Sequence, residues 1–284
     1  MCERCGCSDS EHDHAPKAHA SSHPRDHAYA ELHAHTHDPE PAHAHAPTST
    51  QSRRIRLESD ILGRDTLVAN ENRSWFRERG ILALNFVSSP GAGKTSLLER
   101  TLRYVRRRFP IYVIQGDQAT ERDADRVRRA GAIAVQLNTG TVCHLDARVV
   151  GEAARALNPP RGSLLAIENI GNLVCPALFD LGEQARVVVA SLPEGSDKPL
   201  KYPYMFRSAD LVILNKSDLL PYLDFEIREF VQYVRIVNPN AEIMPLSVTR
   251  GNGLEAWYCW LESRLPLSAT PLGAVSVSHV RHFR

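Results

Sequence analysis

The chain has 284 residues, 43% of them hydrophobic, which supports one large domain with an appendage and leaves too little for two domain-sized cores. Its formal net charge of +1, from 34 Lys and Arg against 33 Asp and Glu, gives no global field that would select nucleic acid or an anionic membrane surface. No apolar run approaches the roughly 20 residues needed to cross a bilayer, and the first residues have no apolar signal-peptide core, so a cytoplasmic protein with reduced thiols is expected.

Cys2, Cys5 and Cys7 put three soft ligands into the first seven residues. A fourth Cys is missing nearby, so a metal held here would take the terminal amine, a distant residue or water as its fourth ligand, and three thiolates with an amine suit square-planar Ni²⁺. From His12 to His45 the chain carries ten His among Ala, Pro, Asp and Glu. Such a segment cannot bury enough surface to offset its ordering entropy, so residues 1–52 are expected to form a disordered tail and linker whose imidazoles buffer Ni²⁺, Zn²⁺ or Cu²⁺. A plain solubility tail is the alternative. Apolar positions from Ile55 to Phe76 recur at roughly helical spacing, so 53–79 is expected to be a helical segment leading into the first strand.

The apolar run Ile81–Phe86 flows into Val87-Ser88-Ser89-Pro90-Gly91-Ala92-Gly93-Lys94-Thr95-Ser96, the strand–loop–helix context of a P-loop. Gly91, Ala92 and Gly93 let backbone N–H groups curl around a diphosphate. Lys94 can neutralise the β- and γ-phosphates, and Thr95, with Ser96 beside it at the helix start, can ligate Mg²⁺. Ser88 stands where the motif has its first Gly. A helix is expected over Ser96–Arg108, with Arg103, Arg106, Arg107 and Arg108 as a solvated face, followed by the strand Ile111–Ile114. Gly116-Asp117 then falls where α/β sheets place ligand-binding groups, and makes Asp117 a candidate for Mg²⁺ or the attacking water.

Ile133–Val135 reads as a third strand, and the stretch from Asn138 to Ala147, which contains Cys143 and His144, runs from loop into helix. The buried strand Leu164–Ile167 delivers Glu168, a carboxylate in the Walker-B position for holding Mg²⁺. Arg186–Ala190 and Leu211–Leu214 are further strands, the second running into Asn215-Lys216-Ser217-Asp218, the guanine-reading N-K-x-D. Asp218 can accept from guanine N1–H and its 2-amino group, whereas adenine offers neither donor and leaves the acceptor unpaired. Asn215 braces that loop and the Lys216 stem covers the base. Ser247 and Val248, after the strand at Ile243-Met244, occupy the place of the loop whose backbone N–H meets guanine O6. Cys259, between Tyr258 and Trp260 on a final helix Leu254–Leu265, is expected in the core. The alternation of strands and helices predicts a three-layer α/β fold with a mostly parallel sheet.

Taken together, these motifs resemble the HypB family, the nickel-inserting hydrogenase maturation GTPases. The resemblance rests on Cys-x-x-Cys-Gly-Cys at the start, the His-rich tail, Ser-Ser-Pro-Gly-Ala-Gly-Lys-Thr, Gly-Asp-Gln, Asn-Thr-Gly-x-x-Cys-His-Leu-Asp, Glu-Asn-x-Gly-Asn-Leu-Val-Cys-Pro and Asn-Lys-Ser-Asp. It implies a P-loop GTPase domain over 80–266, a C-terminal tail over 267–284, and a homodimer that forms on GTP binding. It also implies a HypA-type zinc-containing partner and transfer of nickel to the hydrogenase large subunit. Cys143, His144 and Cys175 become a second metal site, holding Ni²⁺ or Zn²⁺ and open unless a twofold partner completes it. Lys198 is a candidate phosphate contact, in cis or from the dimer partner. A nickel storage protein and a urease-type nickel GTPase are the alternatives, the second opposed by the opening cysteine motif.

Overall fold

The computed structural model describes residues 65–105, 108–117, 122–138 and 143–265. The Cys2, Cys5, Cys7 and ten-His expectations, residues 53–64 of the helical segment, and the C-terminal tail lie outside them. Helix α1 spans 65–78 and turns at Gly80 into strand β1, Leu82–Ser88. Then follow α2 Lys94–Val105, β2 Ile111–Asp117, α3 Arg122–Arg129, β3 Ile133–Asn138, α4 Ala147–Leu157 and β4 Leu164–Gly171. Beyond a 3₁₀ turn at Cys175–Leu178 come β5 Ala185–Ser191, the short helices α5 Lys198–Lys201 and α6 Pro203–Arg207, and β6 Leu211–Asn215. The described chain closes with α7 Ile227–Val237, β7 Glu242–Pro245 and α8 Leu254–Glu262.

The strands form one seven-stranded sheet in the order β3-β2-β4-β1-β5-β6-β7, and every pairing is parallel. A parallel sheet needs both faces covered, so its strands read as nearly continuous apolar runs. β1 is buried along its whole length. Its alternate residues point to opposite faces. Leu82, Leu84 and Phe86 pack with Leu97 and Leu102 of α2 and with Trp257 and Leu261 of α8. Ala83 faces Phe76 of α1 and Val150 and Ala154 of α4. A third apolar cluster joins Val188 and Val212 to Phe206 and Phe230. The result is the three-layer α/β architecture that the strand–helix alternation predicts.

Several strands run further than their apolar cores suggest. β2 continues through Gln115 and Gly116 to Asp117, and β4 through Glu168 and Asn169 to Gly171, because pairing with neighbouring strands persists past the unbroken apolar runs. α2 begins at Lys94 rather than Ser96. Cys259 is exposed, contrary to expectation: Trp257 and Trp260 take the inward positions of α8 and leave the thiol on the outer side. No helix among the described residues is long and apolar enough to cross a membrane.

Candidate functional site

β1 is flanked by β4 on one side and β5 on the other, so the loop after β1 lies at the carboxyl ends of three adjacent strands. α/β sheets place ligands in this position. The loop turns through Gly91 and Gly93 at positive φ of 75° and 103°. A side chain at Gly93 would put its Cβ 2.3 Å from Asn215 Nδ2, so this position needs both the glycine's conformation and its lack of bulk. Ala92 is buried between them, and Lys94, Thr95 and Ser96 form the first turn of α2, where unpaired N–H groups and the helix dipole favour an anion. Ser88 donates to the Ser89 carbonyl at 2.8 Å, closing the turn where the motif ordinarily has glycine.

Glu168 is 3% exposed at the adjoining end of β4. Its Oε1 accepts from Thr95 Oγ1 at 2.5 Å and pairs with Lys94 Nζ at 3.2 Å, while its Oε2 accepts from Gln115 Nε2 at 2.6 Å. The lysine, hydroxyl and carboxylate expected to meet a magnesium nucleotide are therefore in mutual contact. Gln115 Oε1 is a buried acceptor with no donor among the described residues. An acceptor left in this way favours a hydrated cation, whose bound water supplies donors, and the donor set of hydroxyl and carboxylate oxygens matches hard Mg²⁺. Asp117 ends β2 opposite Asn138 on β3. Gln115 was not singled out in the sequence, although an amide inside an otherwise apolar strand was a readable signal.

Across the loop, Asn215 ends β6 and is 3% exposed. Its Nδ2 donates to the Ala92 carbonyl at 2.8 Å and its Oδ1 accepts from the Val248 N–H at 3.1 Å. One amide thus fixes the P-loop against the segment after β7. Lys216 follows in the left-handed region at φ 62°, and Asp218 accepts a hydrogen bond from the hydroxyl of Ser247, itself fully buried. These residues therefore form one loop pair beside the P-loop.

Glu194 also reaches this site. It accepts from Ser89 Oγ of the P-loop and from Ser191 N and Oγ at 3.1 and 2.7 Å, and its Oε2 lies 3.6 Å from Lys198 Nζ. Lys198 is not a loop lysine. It opens α5 with its side chain 18% exposed and its ammonium 4.9 Å from the Tyr202 ring centre, one carboxylate away from the P-loop.

The segment after β4 carries Cys175, and the segment before α4 carries Cys143 and His144. The neighbouring Cys175 thiol, together with burial, raises the Cys143 pKa above its ordinary value. Cys143 Sγ lies 3.9 Å from His144 Nδ1. The imidazole stacks on Phe179, centroids 3.8 Å apart at 14°, and burial lowers its pKa. The structure thus brings the three predicted ligands into one neighbourhood. Among the described residues, however, no group of three or more His, Cys, Asp or Glu is arranged to hold a metal ion. Two thiols and an imidazole are by chemistry a donor set of the kind nickel and zinc take.

Residues 82–245 match the CobW/HypB/UreG nucleotide-binding domain. Over 212 residues the chain is 54% identical to the hydrogenase maturation factor HypB of Azotobacter vinelandii, covering 75% of this chain and 70% of that protein. The structure superposes on that of HypB from Archaeoglobus fulgidus with a TM-score of 0.66 at 37% identity, covering 71% of this chain and 98% of that one. HypB from Helicobacter pylori, solved in complex with nickel, gives a TM-score of 0.66 at 36% identity, covering 73% and 100%.

Proposed function

The chain belongs to the CobW/HypB/UreG family, within it to the HypB hydrogenase maturation factors, and on that premise we propose that it is a GTP-hydrolysing metallochaperone. It gates the delivery of nickel to the large subunit of a nickel–iron hydrogenase. The observation that carries this reading is the course of β4. The strand holds Glu168 against Lys94 and Thr95, and its direct extension brings Cys175 to Cys143. A change at the phosphates is therefore felt within one short segment by a thiol pair.

In this reading, Gly91, Ala92, Gly93, Lys94, Thr95 and Ser96 cradle the phosphates, and Thr95, Glu168 and Asp117 would hold Mg²⁺. The ion, when bound, offsets charge on the β- and γ-phosphate oxygens. Lys94 pairs with Glu168 in the described state and turns to phosphate when nucleotide enters, which leaves Glu168 to the cation. Asp218 reads the guanine edge with one oxygen steadied by Ser247, and the Val248 N–H remains tied to Asn215. Two guanine donors meeting one carboxylate, which adenine would leave without a donor, make GTP the substrate and disfavour ATP.

Nickel is the cargo. Cys143, His144 and Cys175 supply part of its ligand set, and a second copy of the chain, paired on GTP binding, completes it. Cys2, Cys5 and Cys7 would form a separate nickel or zinc site in the tail, which a HypA-type zinc protein serves or receives from. A ligand shifts such a two-state system only by its different affinity for the two states, so the γ-phosphate must favour one arrangement of the thiols over the other. The test is the nickel content of the hydrogenase large subunit purified from cells carrying Lys94→Ala. We expect a large subunit without nickel. Normal nickel loading would refute gating and favour a nickel buffer.

A further inference from the structure

Helix α1 is the first element of the described chain and contributes nothing to the nucleotide site. Its polar side chains nevertheless reach both segments that carry the soft ligands. Asp65 Oδ1 accepts from the Ala147 N–H at 3.1 Å. Asn72 is fully buried, and its amide group donates to two carbonyls: Ala147 O at 2.6 Å, just beyond Cys143 and His144, and Leu181 O at 3.2 Å, just beyond Cys175 and Phe179. Its oxygen accepts from Arg155 Nη1 of α4 at 3.0 Å, so no hydrogen-bonding group of this amide is left unused. Arg73 adds two contacts of 2.7 and 2.6 Å to the carboxylate of Asp180.

Two glycines make this seat possible. A Cβ at Gly151 of α4 would lie 2.3 Å from Asn72 Oδ1, and one at Gly182 would lie 2.4 Å from the Ala69 carbonyl and 2.7 Å from Asn72 Cβ. Adhesion alone does not require such an arrangement. Phe76 is fully buried and already fastens α1 to the sheet by apolar contact. A buried amide that spends one donor on each of two segments fixes their relative position, and polar networks of this kind specify geometry more than they add stability.

We propose that α1 is a clasp in which Asp65, Asn72 and Arg73 position the segment bearing Cys143 and His144 against the segment bearing Cys175 and Phe179, and so set the geometry in which the thiols meet a metal ion. The clasp rests on the reading that these thiols bind nickel. Its residues are positioning residues. They act through Ala147, Leu181 and Asp180, as outer residues do in metal sites generally, where loss of such a partner lowers affinity by roughly 10- to 100-fold.

The test uses the full chain with Cys2, Cys5 and Cys7 changed to Ser, so that a thiolate-to-nickel charge-transfer band on titration with Ni²⁺ reports only the remaining cysteines. Asp65→Ala with Arg73→Ala leaves the buried amide in place, and Asn72→Ala removes it. We expect the double variant to bind Ni²⁺ about tenfold more weakly with a shifted band, Arg73→Lys to recover part of the loss, and GDP affinity to stay at the parent value. An unchanged band and affinity in the double variant overturns the clasp, and so does an equal loss of GDP binding, which would make α1 a general structural prop. If the parent shows no thiolate band while binding GDP, the metal reading of Cys143 and Cys175 fails and the clasp falls with it.

Discussion

Asn215→Ala separates the bracing of the nucleotide site from its chemistry. The wild-type amide joins Ala92 to Val248 by bonds of 2.8 and 3.1 Å, and the side chain is 3% exposed. Alanine leaves a carbonyl and an N–H with no partner in a site that excludes water once nucleotide is bound. An unpaired buried group costs about 1–3 kcal/mol, and taking the low end for each gives about 2 kcal/mol. Since about 1.4 kcal/mol is a factor of ten, GDP affinity should fall roughly thirtyfold. Fluorescent GDP titration measures this directly. The preference for guanine over adenine nucleotides should survive in Asn215→Ala, because Asp218 is untouched, and should vanish in Asp218→Ala. GDP affinity within about threefold of wild type, or lost guanine preference in Asn215→Ala, would refute the bracing role.

The remaining predictions concern the phosphate side. Gln115→Leu removes both the donor to Glu168 and the buried acceptor, so the Mg²⁺ concentration needed for half-maximal GTP binding should rise about tenfold while binding in excess chelator stays the same. An unchanged Mg²⁺ requirement would dissociate Gln115 from the cation. Lys198→Ala should slow GTP hydrolysis without weakening GDP binding, because the ammonium lies beyond Glu194 and outside the P-loop in the described chain. Unchanged hydrolysis and dimerisation in that variant would remove Lys198 from the reaction.

What could be read in the sequence was what is local in the sequence. Lys94 and Thr95 follow Gly93 directly, Asp218 follows Asn215 within one motif, and apolar runs mark the strands, so the fold and both halves of the candidate nucleotide site could be located from local pattern. The joints between those halves could not. Asn215 meets Ala92 across 123 positions of chain, and Asn72 meets Ala147 and Leu181 across 75 and 109, distances at which no periodicity carries a signal. Glu194 escaped notice for the same reason, its partner Ser89 lying 105 residues away. Cys259 was misplaced because a Trp-Tyr-Cys-Trp run looks uniformly apolar, whereas helical geometry turns only some of its positions inward. Gln115 shows the converse: Gly116 and Asp117 drew attention as groups beyond the end of the strand, yet β2 continues through all three.

The proposed function requires that nucleotide and soft metal share one switch through β4. The most direct measurement is Ni²⁺ and Zn²⁺ affinity of the full chain lacking its tail thiols, Cys2, Cys5 and Cys7 each changed to Ser, with GDP and with a non-hydrolysable GTP analogue. A thiolate-dependent site is expected, lost in Cys143→Ser, whose affinity or spectrum differs between the two nucleotides. Identical metal binding in both nucleotide states would contradict it and leave the nucleotide and thiol sites independent.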